Sequence, residues 1–435
     1  MFFFSKSATA LAREQADNLL QLATKVDSYR RDVVPPEKLA VMHDASDHLL
    51  ELWQNKETSA EAINQACEEL HKAMLPCGGD IYPVTVVGEY TEMLMAAAIL
   101  TIGIRTFFLQ PFKIPTNSMY PTYNGMTPHV YTLDSAGPSA VEQAWNLVKE
   151  GATHYDVRAP ADGEVLLPLN EHDMSAVNVP RSVRTMSRLW LLPVDDSEYT
   201  MVVGQTPVKV LLPVDFGRGF DEAFYQTYFP DLYKEAWTDP TRFYQLLSQG
   251  DHLTRDPQGN LIVATGRQVH KGDPILNFDL RTGDMLFVDR FSYNFIAPKP
   301  GDPFVFHTAG IPELSSTQGD QYYIKRLVGV PGDTLEVRPP VLYRNGAPNT
   351  GAAAFDKNAR QEGNYPGYTN GNAGQSKYLL PGDTFTVPEG FYFAMGDNSP
   401  SSYDSRYWRG VPTQNVVGRA VMIIYPFTFR WGLAQ

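Results

Sequence analysis

Cysteine is nearly absent from this chain. The only two, Cys67 and Cys77, both lie in the N-terminal 80 residues, which builds neither a disulfide framework nor a zinc site. Their placement is compatible with a reducing N-terminal side and an oxidising far side. Lys/Arg blocks are missing too, and the formal net charge is −13. A nucleic-acid partner is thereby excluded, because phosphate binding needs a concentrated basic face. The opening MFFFSKSATALAREQADNLL puts its three Phe first and charges soon after, so it is not a cleavable leader. There is no internal repeat, and no run after Phe427 long enough for a second membrane span. No G-x-S-x-G elbow occurs. His307, in FVFHTAG, is the only His of the C-terminal part, and in that setting it reads as a strand residue rather than a triad base. His43, His48 and His71 have no metal-ligand spacing with carboxylates.

What is present begins with helix. At 435 residues the chain exceeds one compact core, so two or three domains are expected. Residues 7–75 repeat apolar positions at helical spacing, as in Leu19, Leu22 and Val26, then Ile63, Cys67, Leu70 and Met74. Pro35-Pro36 divides the first helix from the next, since Pro removes a donor and disfavours helix before it. Next comes an apolar run from Met93 to Ile104, extending to Phe112 with Arg105 as its only charge. A bilayer needs about 20 such residues. The run spans only if Arg105 sits near one end and snorkels; otherwise it is a core helix. Flanking charges do not orient it.

Without an intervening linker the run passes into PFKIPTNSMYPTY, which presents Ser118. Beyond it, residues 139–151 read as a short helix and 219–249 as one or two aromatic-rich helices. Residues 157–169, 199–214 and 260–278 read as strands. From Thr282 the chain is β-rich, with short strands between Gly-Asp and Pro-Gly turns, the signature of an all-β sheet or barrel. Residues 345–377, rich in Gly, Asn and Ala, read as a long loop or poorly packed excursion.

A serine needs a proton acceptor to act as a nucleophile. With no His in place, the candidate is Lys325, in the apolar run YYIKRLVGV. Strand alternation sends Lys325 and Arg326 to opposite faces. An inward Lys325 would have its pKa lowered from about 10.4 towards neutrality by desolvation; an outward one would snorkel to solvent.

Four stretches decide between these: PFKIPTNSMYPT at 111–122, GDMLFVDRFSY at 283–293, YIKRLVGVPGD at 323–333 and GDNSPSSYDSRYWRGVP at 396–412. Together and in this order they resemble the bacterial type I signal peptidases (leader peptidases), membrane serine proteases with a Ser-Lys dyad. The resemblance implies Ser118 as nucleophile and Lys325 as general base. It implies Thr116 and the Ser118 backbone N–H as the oxyanion hole, where each donor contributes about 10²–10³ in rate. It implies Ser402 as a hydroxyl orienting the Lys amine, with Asp404 and Arg406 as a supporting ion pair and Asp397 and Asn398 in the same structural box. Phe112, Ile114, Pro115 and Ile324 match the shallow pockets for small side chains. Tyr123 stands where an aliphatic pocket residue is common, which leaves the preferred residue at the cleavage site open. No cofactor is implied.

The expected architecture is therefore a mainly β catalytic domain of short antiparallel strands, built from 111–126 and 282–435. A helical region at 1–82 and one transmembrane helix at 90–110 precede it. A mixed α/β insertion at 127–281 interrupts it, where the family it resembles passes from the serine segment to the Gly-Asp strand within about ten residues. Two pieces of the insertion, APADGEVL and VHKGDPIL, resemble halves of a biotinyl/lipoyl-like barrel-sandwich domain, though the modified Lys of a carrier is not evident. The resemblance implies signal peptides of exported preproteins as substrates and the lipid bilayer as a partner. It places the chain in the plasma (inner) membrane as a single-pass protein, catalytic side extracytoplasmic and N-terminal helices cytoplasmic. Alternatives are a Ser-Lys peptidase maturing a narrow set of secreted factors, a self-cleaving enzyme like the SOS-response repressors, or a non-catalytic envelope scaffold using the insertion. The insertion itself could cap the groove, dock on the export channel or set the height of the catalytic domain.

Overall fold

The computed structural model describes residues 7–171, 177–188, 192–216, 219–236, 240–314, 320–371 and 375–434. It divides into two compact units, Met1–Gly103 and Ile104–Gln435.

In the first unit, three helices span Ala8–Arg30, Pro36–Gln54 and Ala60–Gly78. Ser7 and Ser59 accept from backbone N–H groups at the starts of the first and third helices, satisfying donors that a helix start leaves orphaned. Pro36 is the first residue of the second, where a missing N–H costs nothing. Ala16, Val26, Leu49, Ile63, Leu70 and Met74 fill the core between them.

The apolar run lies in one 22-residue helix, Val86–Phe107, none of whose residues is buried. Among the described residues it is the one helix long and apolar enough to cross a membrane. Arg105 sits in its last turn, the place where a long cationic side chain can reach the interface.

The second unit is β-rich. Its central sheet runs Leu109–Lys113, Met285–Asp289, Val416–Tyr425, Pro303–His307, Tyr322–Gly329, Phe391–Met395 and Val411–Pro412, with Gly432–Leu433 added beside Val416–Tyr425. Every pairing is antiparallel. Gly283 makes the first of them possible: a Cβ there would lie 1.7 Å from the Ile114 carbonyl oxygen, so only glycine lets the two backbones meet.

The 127–281 stretch holds a six-stranded antiparallel sheet and helices Gly219–Tyr228, Pro230–Ala236 and Pro240–Gln249. The two carrier-like pieces lie side by side, Gln268 opposite Glu164 and Val269 opposite Gly163. The stretch leaves and rejoins the catalytic part through neighbouring strands, Thr127–Val130 and Pro274–Arg281, with Val130 opposite Phe278.

One expectation is corrected. Residues 345–377 are not simply a loose excursion, because Ala353–Arg360 is an α-helix. Phe355 and Tyr368 are 3% and 1% exposed and join the apolar cluster of Leu335, Val337 and Phe393. The fully buried Asn358 donates to the Asp397 carbonyl at 3.3 Å and accepts from the Gly367 N–H at 3.0 Å. Two aromatic anchors and one buried amide suffice where large aliphatics are few.

Candidate active site

The chain leaves the Leu109–Lys113 strand, stays extended through Thr116 and makes a 3-10 turn at Asn117–Met119. Ser118, 8% exposed, is held there by its own backbone. The Asn398 N–H donates to the Ser118 carbonyl at 3.1 Å, and Asn398 Nδ2 donates to the Asn117 carbonyl at 3.1 Å. Asn117 Oδ1 in turn accepts from the Gly125 N–H at 2.9 Å, so both sides of the turn are fixed.

Lys325 enters from the Tyr322–Gly329 strand, 4% exposed. Its Nζ lies 2.6 Å from Ser118 Oγ and donates to the Ile324 carbonyl at 3.2 Å. The snorkelling alternative is excluded by that burial. The amine pKa is lowered from 10.5 to about 8, chiefly by desolvation, with Asp404 and Asp397 opposing the shift and Arg406 adding to it. The next residue, Arg326, is 1% exposed and pairs two-fold with Asp397 at 2.7 and 2.6 Å. Adjacent cations on one strand thus have separate partners, a neutralisable amine and a permanent ion pair.

Behind the pair, Asp404 and Arg406 are fully buried and joined two-fold at 2.8 and 2.9 Å. Arg406 Nη2 donates to the Ser399 and Ser402 carbonyls at 2.7 and 3.2 Å, and Asp404 Oδ2 accepts from the Gly396 N–H at 3.0 Å. The expected Ser402 contact to the amine is not formed. Ser402 is 4% exposed, yet its hydroxyl has no hydrogen-bond partner among the described residues. Arg406 fixes this residue through its carbonyl, and that anchoring sets where the side chain can reach. Gly396 is wedged alongside: a Cβ on it would lie 2.3 Å from Ser402 Oγ and 2.4 Å from the Ser118 carbonyl.

In front of the pair opens a cleft of about 540 Å³. Phe112, Ile114, Pro115, Thr116, Ser118, Ile324 and Lys325 all line it, so the pocket, oxyanion and dyad candidates share one space. Tyr123 lies beneath it, fully buried against Ile114, Met119 and Leu286. His307 is edge-on to Tyr322, ring centres 5.0 Å apart.

Two contributions carried no sequence signal strong enough to find. Arg430 pins the segment after the turn, donating to the Pro121 carbonyl at 3.1 Å and Asn124 Oδ1 at 2.8 Å, and pairing with the buried Asp284. Burial pushes the Asp284 carboxyl up, and Arg430 counters it. The other is a row of aromatics from 216–244 on the cleft; aromatic-rich helices were legible there, but not their destination.

A serine hydroxyl touching a buried, weakly basic lysine amine on the wall of an open cleft is the layout of a Ser-Lys hydrolase. A protein-family profile described as signal peptidase, peptidase S26, matches residues 276–425, a stretch that contains Lys325 but not Ser118. The chain is 36% identical over 156 residues to a probable signal peptidase I-1 of Synechocystis sp., covering 35% of this chain and 67% of that one. It is 35% identical over 147 residues to a signal peptidase I of Leptolyngbya laminosa, covering 34% and 63%. A solved signal peptidase I from Enterococcus faecalis V583 aligns at 34% identity over 28% of this chain and 97% of its own, with a TM-score of 0.20. The chain belongs to the signal peptidase I family, which is a family of serine endopeptidases. The matched stretch is about a third of its length.

Proposed function

We propose that this chain removes signal peptides from exported preproteins with Ser118 as nucleophile and Lys325 as general base. The observation that carries the reading is the 2.6 Å approach of Lys325 Nζ to Ser118 Oγ within the cleft. The neutral amine takes the hydroxyl proton as Oγ attacks the scissile carbonyl. Negative charge develops on the carbonyl oxygen, where the Ser118 N–H and the Thr116 hydroxyl stabilise it. The ammonium then returns its proton to the leaving amine, and the Ser118 acyl ester remains. A water, deprotonated by the same lysine, releases the signal peptide. Asp404 and Arg406 act one layer back, holding the 396–402 backbone against the turn.

Substrate lies extended between the 112–116 segment and the start of the Tyr322–Gly329 strand, a β-addition mode of recognition. Pockets formed by Phe112, Ile114, Pro115 and Ile324 accept small side chains and reject large ones by clash. The Val86–Phe107 helix is the anchor of a single-pass inner-membrane protein, with Ser118 on the extracytoplasmic side and the N-terminal helices in the cytoplasm. Delivery of preproteins by the export channel fits that placement.

The test is cleavage of a purified preprotein by the full chain in detergent. Ser118→Ala and Lys325→Ala should each abolish cleavage while leaving the circular dichroism spectrum unchanged. Undiminished processing by either variant sinks the dyad. For the wild type, kcat/KM should rise with pH through about 8, because only the deprotonated amine is a base.

A further inference from the structure

The cleft has two walls of different origin. One is the catalytic sheet and the serine segment. The other is supplied by the 127–281 stretch, whose Phe216, Tyr225, Tyr233, Phe243 and Tyr244 line the same cavity as Ser118 and Lys325, with Asp221 and Glu222 beside them. We propose that this second wall is an aromatic subsite that reads an apolar side chain of the bound peptide, remote from the small residue at the cleavage site. The inference rests on the cleft being the peptide-binding site, as proposed above.

The wall is fixed to the nucleophile segment. Met126, eight residues after Ser118, both lines the cavity and belongs to the apolar cluster of Phe220, Phe224 and Leu247. From there the chain enters Thr127–Val130, which is locked to the returning strand by the pairing of Val130 with Phe278. The helices therefore stand on the stem that leaves the serine, and are held at a set distance from it.

The rings form one surface centred on Phe243. Its ring centre is 4.7 Å from that of Tyr225, 6.0 Å from Tyr233 and 5.8 Å from Tyr244, all near edge-to-face. Phe243 and Tyr225 are 5% and 4% exposed, while Tyr233 and Tyr244 are half-buried. Rings already ordered by their neighbours present apolar area with little left to lose in rotamer freedom. A cavity of about 540 Å³ is far larger than one small side chain requires, and lies in the range of sites that enclose a drug-sized ligand. The catalytic wall alone gives small-residue selectivity; the added wall gives a second reading of the peptide.

The experiment is a substrate scan with the full chain in detergent. Peptides spanning a cleavage site carry Leu or Ser at each position in turn, and kcat/KM is measured for wild type and for Tyr233→Ala/Tyr244→Ala. Wild type should prefer Leu by about tenfold at one position away from the cleavage-site residue, mainly through KM. In the double variant that preference should fall to near unity, with the loss falling mainly on the Leu peptide. Tyr233→Phe/Tyr244→Phe, which keeps the rings, should retain it. If the double alanine variant is unfolded by circular dichroism, the single alanine variants carry the same comparison. A Leu preference surviving ring removal overturns the subsite, as does equal loss on Leu and Ser peptides, which would mark a purely supporting wall. Failure of wild type to cleave any peptide, or cleavage by Ser118→Ala, would refute the proposed function instead.

Discussion

Lys325→Met should destroy activity and raise stability together. At pH 7 the folded protein holds a buried amine whose pKa is lowered from 10.5 to about 8. At 1.36 kcal/mol per unit this is an energetic cost of about 3 kcal/mol for keeping the charged form. Methionine has a similar length without the charge. Against that gain stand the contacts with Ser118 Oγ and the Ile324 carbonyl, together worth about 1–2 kcal/mol, leaving the variant about 1–2 kcal/mol more stable. The pH dependence gives the signature. Below about pH 8 the lysine is charged in folded and unfolded chains alike, and the full penalty is present. Between about 8 and 10.5 the unfolded chain binds the extra proton, so wild-type stability rises with pH. The advantage of Lys325→Met should accordingly shrink and vanish by about pH 10. Paired thermal unfolding of the two proteins in detergent, at intervals from pH 7 to 10, measures it as a difference of a few degrees. A variant no more stable than wild type at pH 7, or a difference flat across the range, would refute the burial argument. The same shift explains competence: at pH 7 about a tenth of the amine is neutral, against about one part in 3,000 for an unshifted lysine.

Thr116→Val should lower kcat by about 10²–10³ with KM nearly unchanged, and Thr116→Ser should restore most of it; equal kcat for all three would remove Thr116 from the oxyanion hole. Gly396→Ala places a methyl 2.4 Å from the Ser118 carbonyl, so the turn must shift, and about a hundredfold loss in single-turnover rate is expected. Full activity would mean the turn is not positioned from behind. Arg430→Ala leaves Asp284 buried without its ion-pair partner, a change expected to cost about 3–5 kcal/mol in denaturant unfolding. Because burial raises the Asp284 pKa, that loss should lessen at acidic pH, where the carboxyl becomes neutral.

Chemistry was more legible in the sequence than architecture. Ser118 and Lys325 could be singled out because four stretches in order resemble the signal peptidases; the local patterns alone, a Pro-flanked serine and an apolar strand with adjacent Lys325 and Arg326, left a snorkelling lysine open. The short strands after Thr282 were legible from alternation and Gly-Asp turns, and each became a strand near its expected place. Contacts that depend on how a backbone is anchored were not. The Ser402 hydroxyl has no hydrogen-bond partner among the described residues, while Arg406 takes its carbonyl, which no spacing encodes. The Ala353–Arg360 helix was missed because its stretch is rich in turn formers, and its stability comes from Phe355, Asn358 and Tyr368 meeting distant partners. In the insertion, alternation marked several strands but missed Arg181–Arg188 and gave no order: Gly163–Pro168 sits between Leu261–Val269 and Leu192–Val203, a pairing across about a hundred residues. The aromatic helices carried the least warning, since apolar rings look alike in a core and on a cleft.

The strand order of the catalytic sheet bears on timing during synthesis. The Ser118 segment enters through Leu109–Lys113 and Met285–Asp289, and Lys325 through Pro303–His307 and Tyr322–Gly329. Between these halves lies Val416–Tyr425, which pairs with both Met285–Asp289 and Pro303–His307. A ribosome that has made residue 400 has made both catalytic side chains, but not the strand that brings their two halves into one sheet. Nor has it made the Asp404–Arg406 pair that braces the turn. Ser118 and Lys325, 207 residues apart, are thus held in one sheet only when the chain beyond them is in place. Long-range pairing of this kind is slow, so the Ser118–Lys325 contact is among the last features of the fold that synthesis makes possible.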